Sequence, residues 1–385
     1  MMKRPNYACL AVISLVLLAS PCLAQDAATA LPDTTNRGSL FISADDGWLD
    51  FSEFLKTDFG FLPIAAPITE PAVGYGAAVA LTYMGKRQGG HRPDITAAGG
   101  FGTANGTWGG FAADSRYWLN EHLQTIGALL YASVNLDYYG RGNGSEPAHD
   151  PLRYTLKPIG GVVQGKYRIG ESDFLAGLGY QFMSVELSFD TPDAPNVPDF
   201  STKTNIGALS PSLTFDSRNN IFTPTVGTYV EASVGIASKA LGGDVDFQNL
   251  QLLAMQFAPL PAHVFLGLRG QIMATFGNPP FYVNPYITMR GVPAMRYMGD
   301  RVAQMEAEFR WQFWNRFSLV GFGGGGGAWN NINGSEEVQT TIAGGAGFRY
   351  EIARQQGIHV GIDAAFGPLA GPTFYFVMGC SWVRP

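Results

Sequence analysis

Charge is scarce in this sequence. Asp, Glu, Lys and Arg make up 15% of its 385 residues, against roughly 25% in soluble domains. Basic charge is in deficit as well: 25 Lys and Arg against 31 Asp and Glu give a formal net charge of −6, which argues against nucleic acid as a partner. After residue 24 there is no run of about 18 apolar residues, so no transmembrane helix is expected. Cysteine is nearly absent, with three in the whole chain. Recognisable reaction chemistry is missing too. The five histidines, at 91, 122, 149, 263 and 359, are scattered. No Gly-x-Ser-x-Gly occurs. The glycine run 323–327 lacks the following Lys-Ser/Thr of a phosphate loop. No His/Cys/acid cluster has metal-ligand spacing. Catalytic residues, a cofactor and a metal are therefore not expected.

The chain opens with an export signal. Lys3 and Arg4 precede the apolar stretch ACLAVISLVLLA (8–19), and PCLA before Gln25 offers small residues for cleavage. Pro21 stands before Cys22 where lipid attachment would need a small residue. Cleavage after residue 24 removes two basic residues and no acidic one, moving the formal charge from −6 to −8. It leaves Cys380 alone, so no intrachain disulfide can form. An exported chain without disulfides fits a Gram-negative envelope better than a small secreted scaffold.

Glycine, at 49 residues, and aromatics, at 13%, are plentiful, and the apolar residues alternate. Side chains of a strand point to opposite faces with period two. In 264–275, Val264, Leu266, Leu268 and Ile272 oppose Arg269, Gln271 and Thr275. In 228–236, Val230, Ala232, Val234 and Ile236 oppose Tyr229, Glu231 and Ser233. In 339–350, Ile342, Ala346 and Phe348 oppose Gln339, Thr341 and Arg349. In 123–137, Ile126, Ala128, Leu130, Ala132, Val134 and Leu136 form an apolar face against Tyr131, Ser133, Asn135 and Asp137. A soluble sandwich would carry Lys and Glu on its polar faces. Here those faces hold Gly, Ser, Gln and isolated charges, as a barrel lumen does, with the apolar faces toward lipid.

Sixteen such segments can be counted, near 61–68, 72–84, 94–104, 107–118, 123–138, 154–168, 173–189, 204–216, 228–238, 245–257, 263–275, 301–313, 317–329, 337–351, 358–366 and 372–382. The even number and the alternation of short connections (LNEH, IGES, WNR, ARQQ) with long ones predict an all-β fold, an antiparallel transmembrane β-barrel of about sixteen strands over residues 61–385. Pro63 and Pro67 withhold backbone donors from the first strand, so the seam between first and last strands should be weakly paired. Residues 25–60 are too few for a domain. Within them Asp50 and Glu53 have the spacing of a helix capping box. Asp46, Gly47, Leu49, Asp50 and Glu53 also fit the rear half of a calcium loop, but Ile42 and Ala44 occupy its first ligand positions. A short capped helix is the reading that fits.

The stretch ITMRGVPAMRYMGDRVAQMEAEFRW (287–311) joins an irregular, arginine-bearing loop to a strand in which Gln304, Glu306, Glu308 and Arg310 share one face. A loop that folds into the lumen could pair Arg290 with that acidic wall. The run Gly323, Gly324, Gly325, Gly326 and Gly327 in the next strand would let loop backbone approach closely. These residues resemble the bacterial surface-antigen family, the BamA/TamA superfamily of outer-membrane assembly and translocation barrels. The loop motif is Arg290-Gly291 with Pro293, then Gly299-Asp300; the wall is Glu306, Glu308 and Arg310. FDSRNNIFTPTVGTYVEA (215–232) resembles the family's turn motif through Asp216, Arg218, Asn219, Pro224 and Gly227. FLPIAAPITEPAVGYGAAVALTYM (61–84) resembles its opening strands.

The pattern departs from the family in four ways. Val292 replaces an aromatic residue, and Gly324 stands where the family has an aspartate partner for the loop arginine, so another partner is needed. The last strand ends SWVRP rather than in an aromatic residue. The sequence leaves no room for the client-receiving POTRA domains. The resemblance implies a barrel-only outer-membrane member, with bilayer lipid around it and a lumen-folded loop, that assists insertion or passage of a protein or lipid client. A passive diffusion pore or a structural barrel is the alternative, with a lipid hydrolase behind them. The expected outcome in cells is an outer-membrane protein with heat-modifiable gel mobility; recovery as a soluble periplasmic protein would contradict the reading.

Overall fold

The computed structural model describes residues 40–56, 61–85, 94–140, 151–189, 200–332, 334–369 and 371–382. The signal reading for residues 1–24 lies outside them. One short helix, α1 (Ser52–Lys56), precedes sixteen strands. These are β1 (Phe61–Ile68), β2 (Gly76–Gly85), β3 (Asp94–Thr103), β4 (Trp108–Trp118), β5 (Leu123–Tyr138), β6 (Leu152–Arg168), β7 (Phe174–Phe189) and β8 (Phe200–Asp216), then β9 (Gly227–Ala237), β10 (Phe247–Leu260), β11 (Val264–Gly277), β12 (Arg301–Trp314), β13 (Phe317–Ile332), β14 (Ser335–Ala353), β15 (Ile358–Phe366) and β16 (Thr373–Met378). They form one sheet in strict chain order, each strand antiparallel to its neighbours, rolled into a nearly closed barrel. Among the described residues no ladder joins β1 to β16.

The strand edges fall within three residues of those read from alternation except at three places: β2 begins at Gly76 rather than 72, because Val73 and Gly74 N–H close a turn on the Glu70 carbonyl; β8 begins at Phe200, four residues early; and the last strand ends early. β16 stops at Met378 because Gly379 adopts φ +75. There the chain turns inward. Gly379 N–H donates to the His359 carbonyl at 2.6 Å, and the Trp382 ring lies 6.3 Å from that of Phe257. The predicted strand through 382 is therefore cut short, and Cys380 and Trp382 are buried inside the barrel.

LNEH, IGES, WNR and ARQQ all lie at one end, the short-turn end. The other end carries the long 278–300 connection between β11 and β12. The capping box is not formed. Asp50 accepts from Ser52 N–H at 2.6 Å, but its own N–H goes to the Phe41 carbonyl, and Glu53 accepts from Gln355.

Outward side chains make an apolar belt, with Leu268, Ile272, Met305, Phe309, Trp311, Ile342, Phe348 and Ile362 all exposed. The faces of β9, β11, β12 and β14 follow the sequence expectation. β5 does not. Leu130, Ala132, Val134 and Leu136 point inward and are buried, while Leu129 and Tyr131 point out. The reason is that half of the interior is an apolar core. Tyr154 and Leu156 of β6, Met183, Val185 and Leu187 of β7, and Ile206 of β8 surround Phe281, Tyr282, Val283, Met295 and Met298 of the 278–300 loop. Alternation identifies two faces, but only the partner decides which one turns inward. Here the partner is a loop distant in sequence.

This core should carry measurable stability. Leu187 is fully buried and Leu178, on the same strand, is 56% exposed on the outer face. Leu187→Ala should cost about 2–5 kcal/mol in urea unfolding of the detergent-solubilised barrel. Leu178→Ala should change little.

Candidate functional site: a loop clamped in the lumen

The 278–300 loop does not stay outside the barrel. After a single 3-10 turn at Phe281–Val283 it runs down the lumen and returns, with Tyr286 bridging Met298 and Ile287 N–H bonded to the Tyr297 carbonyl at 3.0 Å. One side of this folded loop rests on the apolar core. The other side faces polar groups from β11, β12, β14 and β15.

Arg290 stands at the tip. Its Nη2 lies 2.6 Å from Glu308 Oε2 and its Nη1 2.5 Å from Asp363 Oδ2. Its guanidinium carbon sits 3.5 Å above the centre of the Phe322 ring. Phe322, on β13, thus offers an aromatic face to a cation already held by two carboxylates. Asp363, on β15, is fully buried and also pairs with Arg349 of β14, whose Nη2 is 2.9 Å away. Two arginines and two carboxylates therefore alternate across three wall strands and the loop. Such an array is stable when complete; removing one member leaves an uncompensated buried charge, at a cost of about 3–5 kcal/mol.

Asp363 is the partner that the sequence reading lacked. The family aspartate position is Gly324, and the carboxylate comes instead from two strands further on. The signal was available: Asp363 is the lone acid on the inward parity of IHVGIDAAF. Glu306 pairs elsewhere than expected. It holds Arg269 of β11 at 2.6 Å. Arg269 in turn donates to the Thr288 carbonyl at 2.9 Å, while Gln304 bonds Thr288 through both its amide oxygen and its amide nitrogen, each at 2.7 Å. Glu306 therefore reaches the loop through Arg269. Arg310 does not join the Arg290 cluster; its contacts are the Phe265 ring, 4.4 Å from the guanidinium carbon, and His359 Nε2 at 3.4 Å.

The loop glycines have steric reasons. Gly291 adopts φ +88, and a Cβ there would stand 3.2 Å from the Phe366 backbone. Its N–H donates to Tyr375 Oη of β16 at 2.9 Å. At Gly299 a Cβ would lie 2.6 Å from the Trp329 carbonyl. Asp300 then ties the loop exit to β13, accepting from Asn331 N–H at 3.1 Å, while Pro293 sits buried with its carbonyl accepting from Arg296 N–H. Val292, in place of an aromatic residue, is buried among Ile287, Met289 and Val302. At the loop's outer edge Glu70, from the β1–β2 connection, accepts from Ala294 N–H at 3.0 Å.

The glycine run divides by parity. Gly324 and Gly326 face the lumen; Gly323, Gly325 and Gly327 face outward. A Cβ at Gly326 would stand 3.2 Å from Ile287 Cδ1, and one at Gly324 would press on Glu306 at 2.7 Å. Close approach by the loop therefore concerns one of the five positions, Gly326, while Gly324 makes room for the neighbouring strand β12.

The turn motif lies apart, at the short-turn end. Arg218 grips Asp216 with two bonds, at 2.8 and 2.9 Å, and stacks 4.3 Å over Tyr229. Asn219 accepts from the N–H groups of Thr225 and Val226. Pro224 is buried, and Gly227 adopts φ +114 where a Cβ would meet the Arg218 backbone at 2.7 Å. This motif shapes a turn whose tip, Ile221 and Phe222, packs into the mouth of the barrel.

Pro63 and Pro67 of β1 are exposed on the outer face. Beside the seam lies a cavity of about 1060 Å³, bounded by Ile64, Ala66 and Ile68 of β1, by Tyr375 and Val377 of β16 and by the loop. Among the described residues no group of three or more His, Cys, Asp or Glu could hold a metal ion.

The sequence profile described as the Omp85 superfamily domain matches residues 113–371, more than half of the chain. No curated protein matches the sequence. Among solved structures, BamA from Haemophilus ducreyi lacking POTRA domains 1-3 superposes with a TM-score of 0.56 at 13% identity, covering 82% of this chain and 68% of that one. CdiB from Escherichia coli gives 0.56 at 10% identity over 82% and 61%. CdiB from Acinetobacter baumannii gives 0.52 at 9% identity over 83% and 59%. The chain thus spans about three-fifths of the CdiB chains it matches, and the likeness is one of fold. Among the described residues no folded unit accompanies the barrel.

The clamp makes a specific forecast. Arg290→Ala should loosen the loop and change conductance in planar bilayers; Arg296→Ala, whose guanidinium lies 5.1 Å over the Tyr139 ring, should do less. Arg290→Glu combined with Glu308→Arg should recover part of wild-type behaviour. The same reversal with Glu306→Arg should not, because Glu306 serves Arg269. Equal effects at all four positions would contradict the clamp.

Proposed function

The chain belongs to the Omp85 superfamily, and from that premise we propose that it works in the outer membrane, assisting insertion or passage of a protein or lipid client at the seam between β1 and β16. The observation that carries this reading is the contrast between the seam and the rest of the sheet. Every other neighbouring pair shares a ladder; β1 and β16 share none among the described residues. In hydrocarbon each unmet backbone group costs several kcal/mol. A seam of this kind is the place in the barrel wall where opening breaks fewest bonds, and where a client strand could pair. Pro63 and Pro67 reduce the donors that β1 can offer β16.

A passive pore fits less well. A diffusion channel needs an open, water-lined lumen, whereas this lumen holds the clamped loop and an apolar core. The enzymatic alternative also finds little support. Among the described residues, the His359 ring in the lumen meets Arg310 and the Gly357 carbonyl. With the long loop outside and the short turns inside, the short-turn end faces the periplasm, as in barrels of this kind.

A crosslink across the seam tests the proposal. Ala66 and Val377 share the lumen face, so cysteines there, in a Cys380→Ser background, can be joined with a bifunctional thiol reagent. In a strain that needs the protein, the crosslinked form should lose client assembly and regain it on cleavage of the reagent. Unchanged growth and assembly in the crosslinked form would favour the static barrel.

A further inference from the structure

We propose that the periplasmic rim of the barrel is a peptide-docking surface whose occupant is this chain's own segment 41–56, and that the docked segment stops the lumen from the periplasm. The segment begins as a small hairpin. Ile42 bridges Leu49, Ser43 N–H donates to the Trp48 carbonyl at 2.9 Å, and Asp50 N–H to the Phe41 carbonyl at 2.9 Å. Asp46, Trp48 and Asp50 thereby stand two residues apart, a carboxylate on each side of an indole.

The rim matches this pattern. Arg316, from the β12–β13 turn, has its Nε 2.7 Å from Asp46 Oδ2 and its Nη2 2.9 Å from Asp50 Oδ2. Arg354, from the β14–β15 turn, reaches Asp46 at 3.2 Å. The Arg316 side chain is fully buried, a position that a guanidinium occupies only when its charge is answered. It stands first among the causes that hold the Asp46 carboxyl well below the usual carboxylate range, so the latch is charged at neutral pH. The Trp48 ring meets Trp314 and Phe317 edge-on, at 5.6 and 5.4 Å. Backbone bonds complete the dock: Phe51 N–H to the Ile352 carbonyl at 2.7 Å, and Tyr350 Oη to the Leu49 carbonyl at 2.7 Å.

Beyond the latch, the segment enters the mouth of the barrel. Phe51 and Leu55 pack on Ile221, Phe222, Ala353 and Ile358. With Phe54 they form one side of the same 1060 Å³ cavity that Cys380 lines. On this proposal the segment stands between that cavity and the periplasm. It adds no strand to the sheet, so it can leave without breaking the barrel. Of the acidic residues that resemble half of a calcium loop, Asp46 and Asp50 are answered by arginines and Glu53 accepts from Gln355.

Cys380 is a built-in reporter of the stopper. A membrane-impermeant, charged maleimide should modify it slowly in the purified full-length protein in lipid vesicles, with the site of modification mapped by mass spectrometry. The double variant Asp46→Asn/Asp50→Asn, and separately Trp48→Ala, should raise the labelling rate at least ten-fold. Both should also speed proteolytic cleavage within 40–56, while heat-modifiable mobility shows that the barrel stays folded. Fast labelling of the wild-type chain overturns the proposal. So does faster cleavage with unchanged labelling, since the segment would then dock without stopping anything, and so does no change in either. No client takes part, so the result stands apart from the fate of the seam reading.

Discussion

One guanidinium sets the layout of this molecule. Arg290 lies on a loop that a simple barrel would leave outside, and it is buried between Glu308 and Asp363 with Phe322 beneath it. A buried cation is tolerable only where carboxylates surround it, and those carboxylates are tolerable only while the cation is present. Loop and wall therefore specify each other. With the tip fixed, the rest of the loop has one course, and Thr288, Gly291 and Ala294 reach Gln304, Tyr375 and Glu70 along it.

The interior then has two unlike halves. From β11 to β15 it is lined by arginines, carboxylates and amides that hold one side of the loop. From β5 to β8 it is an apolar core around Phe281, Tyr282 and Val283 that holds the other. A lumen filled in this way is poorly suited to free diffusion. It is suited to keeping a barrel in shape while one joint stays weak. That joint lies between β1 and β16, beside the cavity, where the sheet has no ladder among the described residues.

Much of this was legible in the residues because alternation in a strand is a local property. Gln304, Glu306, Glu308 and Arg310 sit where their parity places them, and the number of strands comes from turns that each strand carries with it. The parts that were not legible depend on partners far away in sequence. The apolar face of β5 looked like a lipid face because nothing nearby says that Phe281 will pack against it. For Arg290 the residue was legible but not the pairing: parity turns Asp363 of β15 inward, yet nothing near it in sequence says that the loop tip will reach it. Asp50 and Glu53 have the spacing of a capping box, yet Arg316 and Gln355, some 270 and 300 residues away, override the local geometry. Alternation alone carries the last strand through Cys380 and Trp382, and it is the turn at Gly379 that ends it.

The central claim is that the seam between β1 and β16 is where a client meets the barrel. Photocrosslinking in intact cells tests it most directly, with the photo-reactive residue at Ala65 of β1 or Phe376 of β16 and, for comparison, at Ile236, which faces outward on β9. The account predicts discrete protein or lipid adducts from positions 65 and 376 that are absent from position 236. The same adducts in equal yield from all three positions would contradict it.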